Sequence, residues 1–133
     1  MAKLTKKILI VDDDAAIREA VSLALEEQDY LNIEVTESAD VASGIQQMKD
    51  TNPDIVILDL HMPDKSGFDF MDIAHKNKRF AKTKVIMLTA DDTLGNIFKA
   101  EDKGIGAYHF LGKPFNISDL QALVLSLSLP IKT

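Results

Sequence analysis

The sequence contains no cysteine, which excludes a disulfide framework and a thiolate metal centre and agrees with a reducing, cytoplasmic setting. No apolar stretch approaches the roughly 18 to 20 residues that a bilayer-spanning helix needs, so no membrane insertion is expected. Lys3, Lys6 and Lys7 are followed by no long apolar region before Asp12, which speaks against a signal peptide. Internal repeats, low-complexity tracts and flexible linkers are also missing. Positive charge is in deficit: 15 Lys and Arg against 21 Asp and Glu leave a formal charge of -6. That balance opposes attraction to a polyanion, whose binding depends on neutralised phosphates, and no direct nucleic-acid binding by this chain is expected.

What remains is the composition of a folded protein. With 133 residues, 46% hydrophobic and 27% charged, the chain is long enough for one domain that removes about two-thirds of its unfolded surface from water. A single domain over residues 1–133 is expected, with a candidate linker start at 130–133, where Pro130 ends regular structure.

Short β-rich apolar runs at 7–11, 33–36, 55–58, 84–88 and 107–111 alternate with longer segments of helical period. Five such repeats predict a doubly wound α/β domain whose parallel sheet is covered on both faces. Ile17, Ala20, Val21, Ala24 and Leu25 mark a first helix that Asp14 is placed to cap. Residues 38–49 carry Val41, Ala42, Ile45 and Met48 on one stripe, weakened at Gly44 and stopped by Asn52 and Pro53. Residues 66–77 align Phe68, Met71 and Ala74, and residues 93–103 form a fourth helix that includes Gly95. In the last helix Ile117, Leu120, Leu123, Val124 and Leu127 form the stripe, with Asn116 or Ser118 as cap. Leu125 and Leu129 fall off that stripe and are expected at the surface, available to a partner.

The chemistry gathers where the apolar runs stop. Asp12 and Asp13 follow the first run, Asp59 the third, Thr89 the fourth and Lys113 the fifth. In a parallel sheet these positions converge at the carboxyl edge, where open α/β folds place ligand sites. Carboxylates held together repel, and a hard cation such as Mg²⁺ relieves that repulsion while taking oxygen ligands; the tripeptide Asp12-Asp13-Asp14 reads equally well as a solvated acidic turn that caps the next helix, with Asp14 the member best placed to be only a cap. Asp59 is an eligible acyl-phosphate nucleophile or a third metal ligand. Thr89 offers a hydroxyl to a phosphoryl oxygen, although a strand-end threonine also simply packs. Lys113 precedes Pro114, in an X-Pro bond of the kind that is sometimes cis, and its ammonium could pair with Asp59 before reaction and with phosphate after it. His61, His75 and His109 sit on a loop, a helix end and a strand and do not form a compact zinc motif.

Together, Ile8-Leu9-Ile10-Val11-Asp12-Asp13-Asp14, Asp54-Ile55-Val56-Ile57-Leu58-Asp59-Leu60-His61-Met62-Pro63, Leu88-Thr89-Ala90 and Lys113-Pro114-Phe115 resemble the receiver domain of two-component response regulators, of the chemotaxis type. The resemblance spans essentially the whole chain. It implies a flavodoxin-like sheet of order 2-1-3-4-5 with five helices. It also implies that Asp59 is the phosphoacceptor and that Mg²⁺ is bound by Asp12, Asp13, Asp59 and the backbone carbonyl of His61. Thr89 and Phe110 would be the switch pair and Lys113 the bridge to the phosphoryl group, while His61 and Asp91 would occupy positions that tune its lifetime. The implied partners are a sensor histidine kinase or histidine phosphotransfer protein and a downstream protein or output domain. The implied surface, made by the fourth helix, the fifth strand and the fifth helix, carries Tyr108 and His109 and could also serve a homodimer.

Two rivals remain at this stage. Asp12-Asp13-Asp14 contains a D-x-D after the first strand, which resembles an aspartate-nucleophile phosphohydrolase of the haloacid-dehalogenase type. That reading wants Thr or Val where the chain has Ala16, and it leaves little room for a cap domain. A phosphorylation-independent interaction domain or a flavin-binding protein is the other.

Overall fold

The computed structural model describes residues 3–62, 65–89 and 108–129. Five strands, β1 (Leu4–Val11), β2 (Leu31–Ser38), β3 (Ile55–Asp59), β4 (Lys84–Thr89) and β5 (Tyr108–Gly112), form one sheet in the order β2-β1-β3-β4-β5. Every pairing is parallel, with Val11 opposite both Ser38 and Leu58, Asp59 opposite Leu88, and Thr89 opposite Gly112. This is the doubly wound, flavodoxin-like order that the resemblance implied.

Alternation along the strands builds two cores. Leu9, Val11, Val56, Leu58 and Met87 face α2 (Val41–Thr51) and α3 (Gly67–His75), where Met48, Phe70 and Met71 cover them. Ile8, Ile10, Ile55, Ile57, Ile86 and Leu88 face the opposite way, toward α1 (Ala15–Glu26) and the last helix (Ile117–Ser128), under Val21, Leu25, Leu120 and Val124. Successive side chains of a strand point to opposite faces, so a run that is apolar throughout is buried on both. β3 is buried along its full length for that reason.

The edge strand β2 is longer than the expected 33–36 because Asn32 and Glu37, just outside those bounds, are exposed polar residues that mask its ends in the sequence. Ser38 belongs to this strand and not to the second helix. That helix starts at Val41, where Asp40 Oδ1 accepts the Ser43 N–H at 2.7 Å. Asn52 closes it in the left-handed region (φ 50°), its N–H donating to the Met48 carbonyl.

Two glycines permit close approaches. A Cβ on Gly44 would lie 3.1 Å from Phe70 and from Val11, so its absence lets α2 settle onto β1 and α3. On Gly67 it would lie 2.7 Å from the Asp59 carbonyl oxygen, and only glycine brings the start of α3 so near the end of β3. Ser66 and Asp69 form a capping box there, and α3 ends at His75, short of the expected Asn77, before a 3-10 turn over Lys78–Phe80.

The last helix departs from its expected stripe. Asn116 is its cap, accepting the Ser118 N–H at 2.8 Å. Ile117 is exposed, and Leu125 is half-buried against the core, while Leu129 is exposed as expected. The cause is the neighbour α1: Gln121 Nε2 donates to the Ala24 carbonyl at 2.8 Å, and Leu125, one turn further along, lies on the same side of the helix. The expected fourth helix (93–103), the strand residue 107 and the linker start at 130–133 lie outside the described residues. Among the described residues no helix is long and apolar enough to cross a membrane.

Candidate functional site

β1, β3 and β4 end together, and their last or following residues, Asp12, Asp59 and Thr89, are buried polar groups in an otherwise apolar sheet. The Asp12 N–H donates to the Ser38 carbonyl at 3.1 Å, continuing the ladder one residue past the strand. Its Oδ1 accepts the Asp14 N–H at 2.9 Å, while Asp14 caps α1 by accepting from the Ala16 N–H at 2.9 Å. This tight turn pulls Asp12 inward and leaves Asp13 exposed at the mouth. Carboxylate oxygens of Asp12, Asp13 and Asp59 all lie within 4.8 Å of one another. Three such oxygens present the hard donors a divalent cation of the Mg²⁺ or Ca²⁺ kind prefers. No histidine joins this set among the described residues.

Asp59 Oδ1 accepts the His61 N–H at 3.2 Å. The loop is pinned on both sides, with Leu60 N–H on the Leu88 carbonyl and Gly67 N–H on the Leu60 carbonyl, each at 3.1 Å. Burial pushes the Asp59 carboxyl up to about 6 and the charge of Asp12 adds to the rise, whereas the His61 N–H and the Lys113 ammonium oppose it.

Lys113 extends the sheet edge through its own N–H, which donates to the Thr89 carbonyl at 2.8 Å. Its Nζ lies 3.0 Å from Asp12 Oδ2 and 3.4 Å from Asp59 Oδ1, and the Lys113–Pro114 bond is cis. Burial disfavours the ammonium, but the hydrogen bond and charge of Asp12, helped by Asp59, outweigh it and hold the Lys113 pKa above its ordinary value. Sequence reasoning paired Lys113 with Asp59; the shorter contact is to Asp12.

The structure therefore brings together Asp12, Asp13, Asp59 and Lys113, with Thr89 at the adjoining strand end. His61 sits beside Asp59 with its side chain exposed. Phe110, opposite Met87 on β5, is half-buried against the core on the α2 and α3 side. Asp91 lies outside the described residues. Sequence reasoning missed Arg18, whose guanidinium donates to the Asp12 carbonyl at 2.7 Å and pairs with Glu37 at 3.2 Å, clamping the β1 turn to the end of β2. Its signal was its isolation, for it is the one basic residue in α1.

Residues 8–125 match the sequence model of the response regulator receiver domain. Among curated relatives, the DNA-binding dual master transcriptional regulator RpaA of Synechocystis is 36% identical over 91% of this chain and 48% of its own length. Protein PilG of Pseudomonas aeruginosa is 29% identical over 86% of this chain and 81% of its own length. The chain spans half or less of the length of the first relatives it matches. Among solved structures, the chemotaxis protein CheY4 of Vibrio cholerae superposes with a TM-score of 0.82 at 28% identity, over 95% of this chain and 99% of its own. With that match over most of its length, and with the strand order and strand-end acidic site to go with it, the chain belongs to the response regulator receiver domain family.

Proposed function

We propose that this receiver domain, occupying residues 1–133, accepts a phosphoryl group on Asp59 from a histidine kinase or histidine phosphotransfer protein in a Mg²⁺-dependent reaction, and so controls partner binding. The observation that carries the reading is one buried carboxylate, Asp59, within 4.8 Å of two others and 3.4 Å from the half-buried Lys113 ammonium. Mg²⁺, held by Asp12, Asp13, Asp59 and the His61 carbonyl, would supply the positive charge that offsets the carboxylates and the incoming phosphoryl oxygens.

The chain's own groups do the rest. Asp59 is held by the His61 N–H, so its free oxygen is presented to phosphorus and attacks in line. Lys113 is already charged beside it and exchanges a carboxylate oxygen for a phosphoryl oxygen. The Thr89 hydroxyl donates to another phosphoryl oxygen, and its movement changes the space open to Phe110. Phosphorylation thereby favours one of two existing arrangements of the fourth-helix, fifth-strand and fifth-helix face, where a downstream protein, an output domain or a second copy docks. The domain acts as a signalling phosphoacceptor that assists only its own phosphorylation and dephosphorylation, in the cytoplasm. Dependence on Asp59 separates it from a phosphohydrolase built on Asp12.

The test is an amide spectrum with and without Mg²⁺ and beryllofluoride, a mimic of the bound phosphoryl group. Shifts at Thr89 and Phe110 that require both additions are expected. A spectrum unmoved beyond the metal-binding turns contradicts the switch.

A further inference from the structure

Residues 76–84 read Lys-Asn-Lys-Arg-Phe-Ala-Lys-Thr-Lys and hold five of the chain's 15 Lys and Arg, while all 21 Asp and Glu lie elsewhere. They join α3 to β4 through the 3-10 turn, which fixes how they are displayed. Asn77 Oδ1 accepts the Arg79 N–H at 3.0 Å, Phe80 is buried, and the Lys84 N–H donates to the Asp54 carbonyl at 3.0 Å. The Arg79 guanidinium donates to the Lys49 carbonyl at 2.7 Å, tying the segment to the end of α2. Lys76, Lys78 and Lys82 are exposed and Lys84 is half-buried, and none of the four makes an ion pair among the described residues. Asp50, at the end of α2, and Asp54, before β3, direct their carboxylates to Gln46 Nε2 and to the Lys7 N–H instead. Like charges gathered on one turn repel, and folding makes use of Arg79 alone, so the four lysines have no account in the stability of the domain.

We infer that this face docks an acidic segment of a partner protein, one with an apolar side chain among its carboxylates, and that it does so whether or not Asp59 is phosphorylated. The carboxylates supply the counter-charge that the fold withholds from the lysines. Ile73, three residues before Lys76, is exposed and offers the apolar contact. Broader polyanions fit less well. A nucleic acid or an anionic bilayer extends past the patch and meets a chain of formal charge -6. Bases find no ring to stack on, because Phe80 is buried, and a bilayer needs an apolar face where α3 and this segment expose only Ile73 as a large hydrophobic residue. The patch lies at the amino edge of the sheet: Lys84 opens β4 and Thr89 closes it, roughly 16 Å away at the rise of a strand. That is about two screening lengths at physiological salt, so charge added at Asp59 leaves this contact unaltered.

The experiment follows the fluorescence anisotropy of a labelled short peptide, Asp and Glu around one Leu, as the intact protein is added. Binding that weakens as salt rises from about 50 to about 500 mM is expected, with none for a matching peptide of Asn and Gln around Leu. Lys78→Ala and Lys82→Ala together weaken it roughly five- to tenfold, the size of two solvent-facing charge contacts. Lys78→Arg with Lys82→Arg keeps the affinity, and Lys78→Glu with Lys82→Glu removes it. Lys65→Ala, which deletes a cation on the loop after β3 at the opposite edge, leaves the affinity within about twofold, as does Mg²⁺ with beryllofluoride. Undiminished binding in Lys78→Glu with Lys82→Glu overturns the inference. So does tighter binding to phosphatidylserine vesicles or single-stranded DNA than to the peptide, or a several-fold response to Mg²⁺ and beryllofluoride. None of the lysine substitutions touches Asp59, so failure here leaves the phosphoacceptor reading standing.

Discussion

Lys113 Nζ and Asp12 Oδ2 form a 3.0 Å ion pair between residues 101 positions apart, joining the last strand to the first across the mouth of the site. Asp12 is wholly buried, so this contact is what keeps its charge tolerable in the absence of a cation.

Removing the ammonium should therefore be costly. In Lys113→Met, two buried carboxylates lose their cation, and the expected destabilisation in metal-free buffer is about 3 kcal/mol. Urea unfolding checks it. Mg²⁺ should recover more stability in this variant than in the wild type, because an added cation replaces the missing charge.

Asp59 gives the protein a pH signature. Its folded pKa, about 6, lies above the ordinary 3.8 that applies to the unfolded chain. The folded state therefore holds the proton more tightly, a contribution fully present below about pH 4 and lost as pH rises through about 6. Metal-free wild type should lose on the order of 2 kcal/mol from this group between those limits. Asp59→Asn should lack that loss and melt higher than wild type at neutral pH, as thermal unfolding across pH will report.

The two close-packed glycines should respond differently. Gly67→Ala drives a methyl against backbone atoms of Asp59 and Leu60, at 2.7 and 3.0 Å, which have little freedom to yield. A cost of about 2 kcal/mol and slower phosphorylation are expected, since the clash falls on the phosphoacceptor's own carbonyl. Gly44→Ala meets only side chains of Phe70 and Val11 at 3.1 Å, and should cost less and leave the phosphorylation rate near wild type. Unfolding curves and labelling rates of the two variants decide this.

Asp13 separates metal binding from folding. It is the exposed member of the carboxylate set, so Asp13→Asn should leave stability within about 0.5 kcal/mol. Its Mg²⁺ affinity should fall at least about tenfold, as loss of one charged oxygen ligand implies. Calorimetric titration with Mg²⁺ measures the second effect and urea unfolding the first.

Much of this was legible in the amino-acid order. The unbroken apolar runs Ile55–Leu58 and Val85–Leu88 announced central strands, and the polar residue after each announced the site, because strand direction alone sends those residues to one edge. Asp14 as a cap followed from local chemistry. What stayed hidden depended on neighbours distant in sequence. Ser38 reads as the first residue of the second helix until its pairing with Val11 makes it the end of β2. Leu125 reads as surface until Gln121 fixes which side of the last helix meets α1. The preference of Lys113 for Asp12 is a matter of fractions of an ångström, and the need for glycine at 44 and 67 arises only when α2 and α3 have docked.

The central claim is that Asp59 is a Mg²⁺-dependent phosphoacceptor. Its most direct test is the intact mass of the protein after incubation with a phosphodonor, read with Mg²⁺, with a chelator, and in Asp59→Asn. The account predicts one acid-labile phosphoryl group on the wild type with Mg²⁺, and none under the other two conditions. Labelling that persists undiminished in Asp59→Asn, or that ignores the chelator, would contradict it.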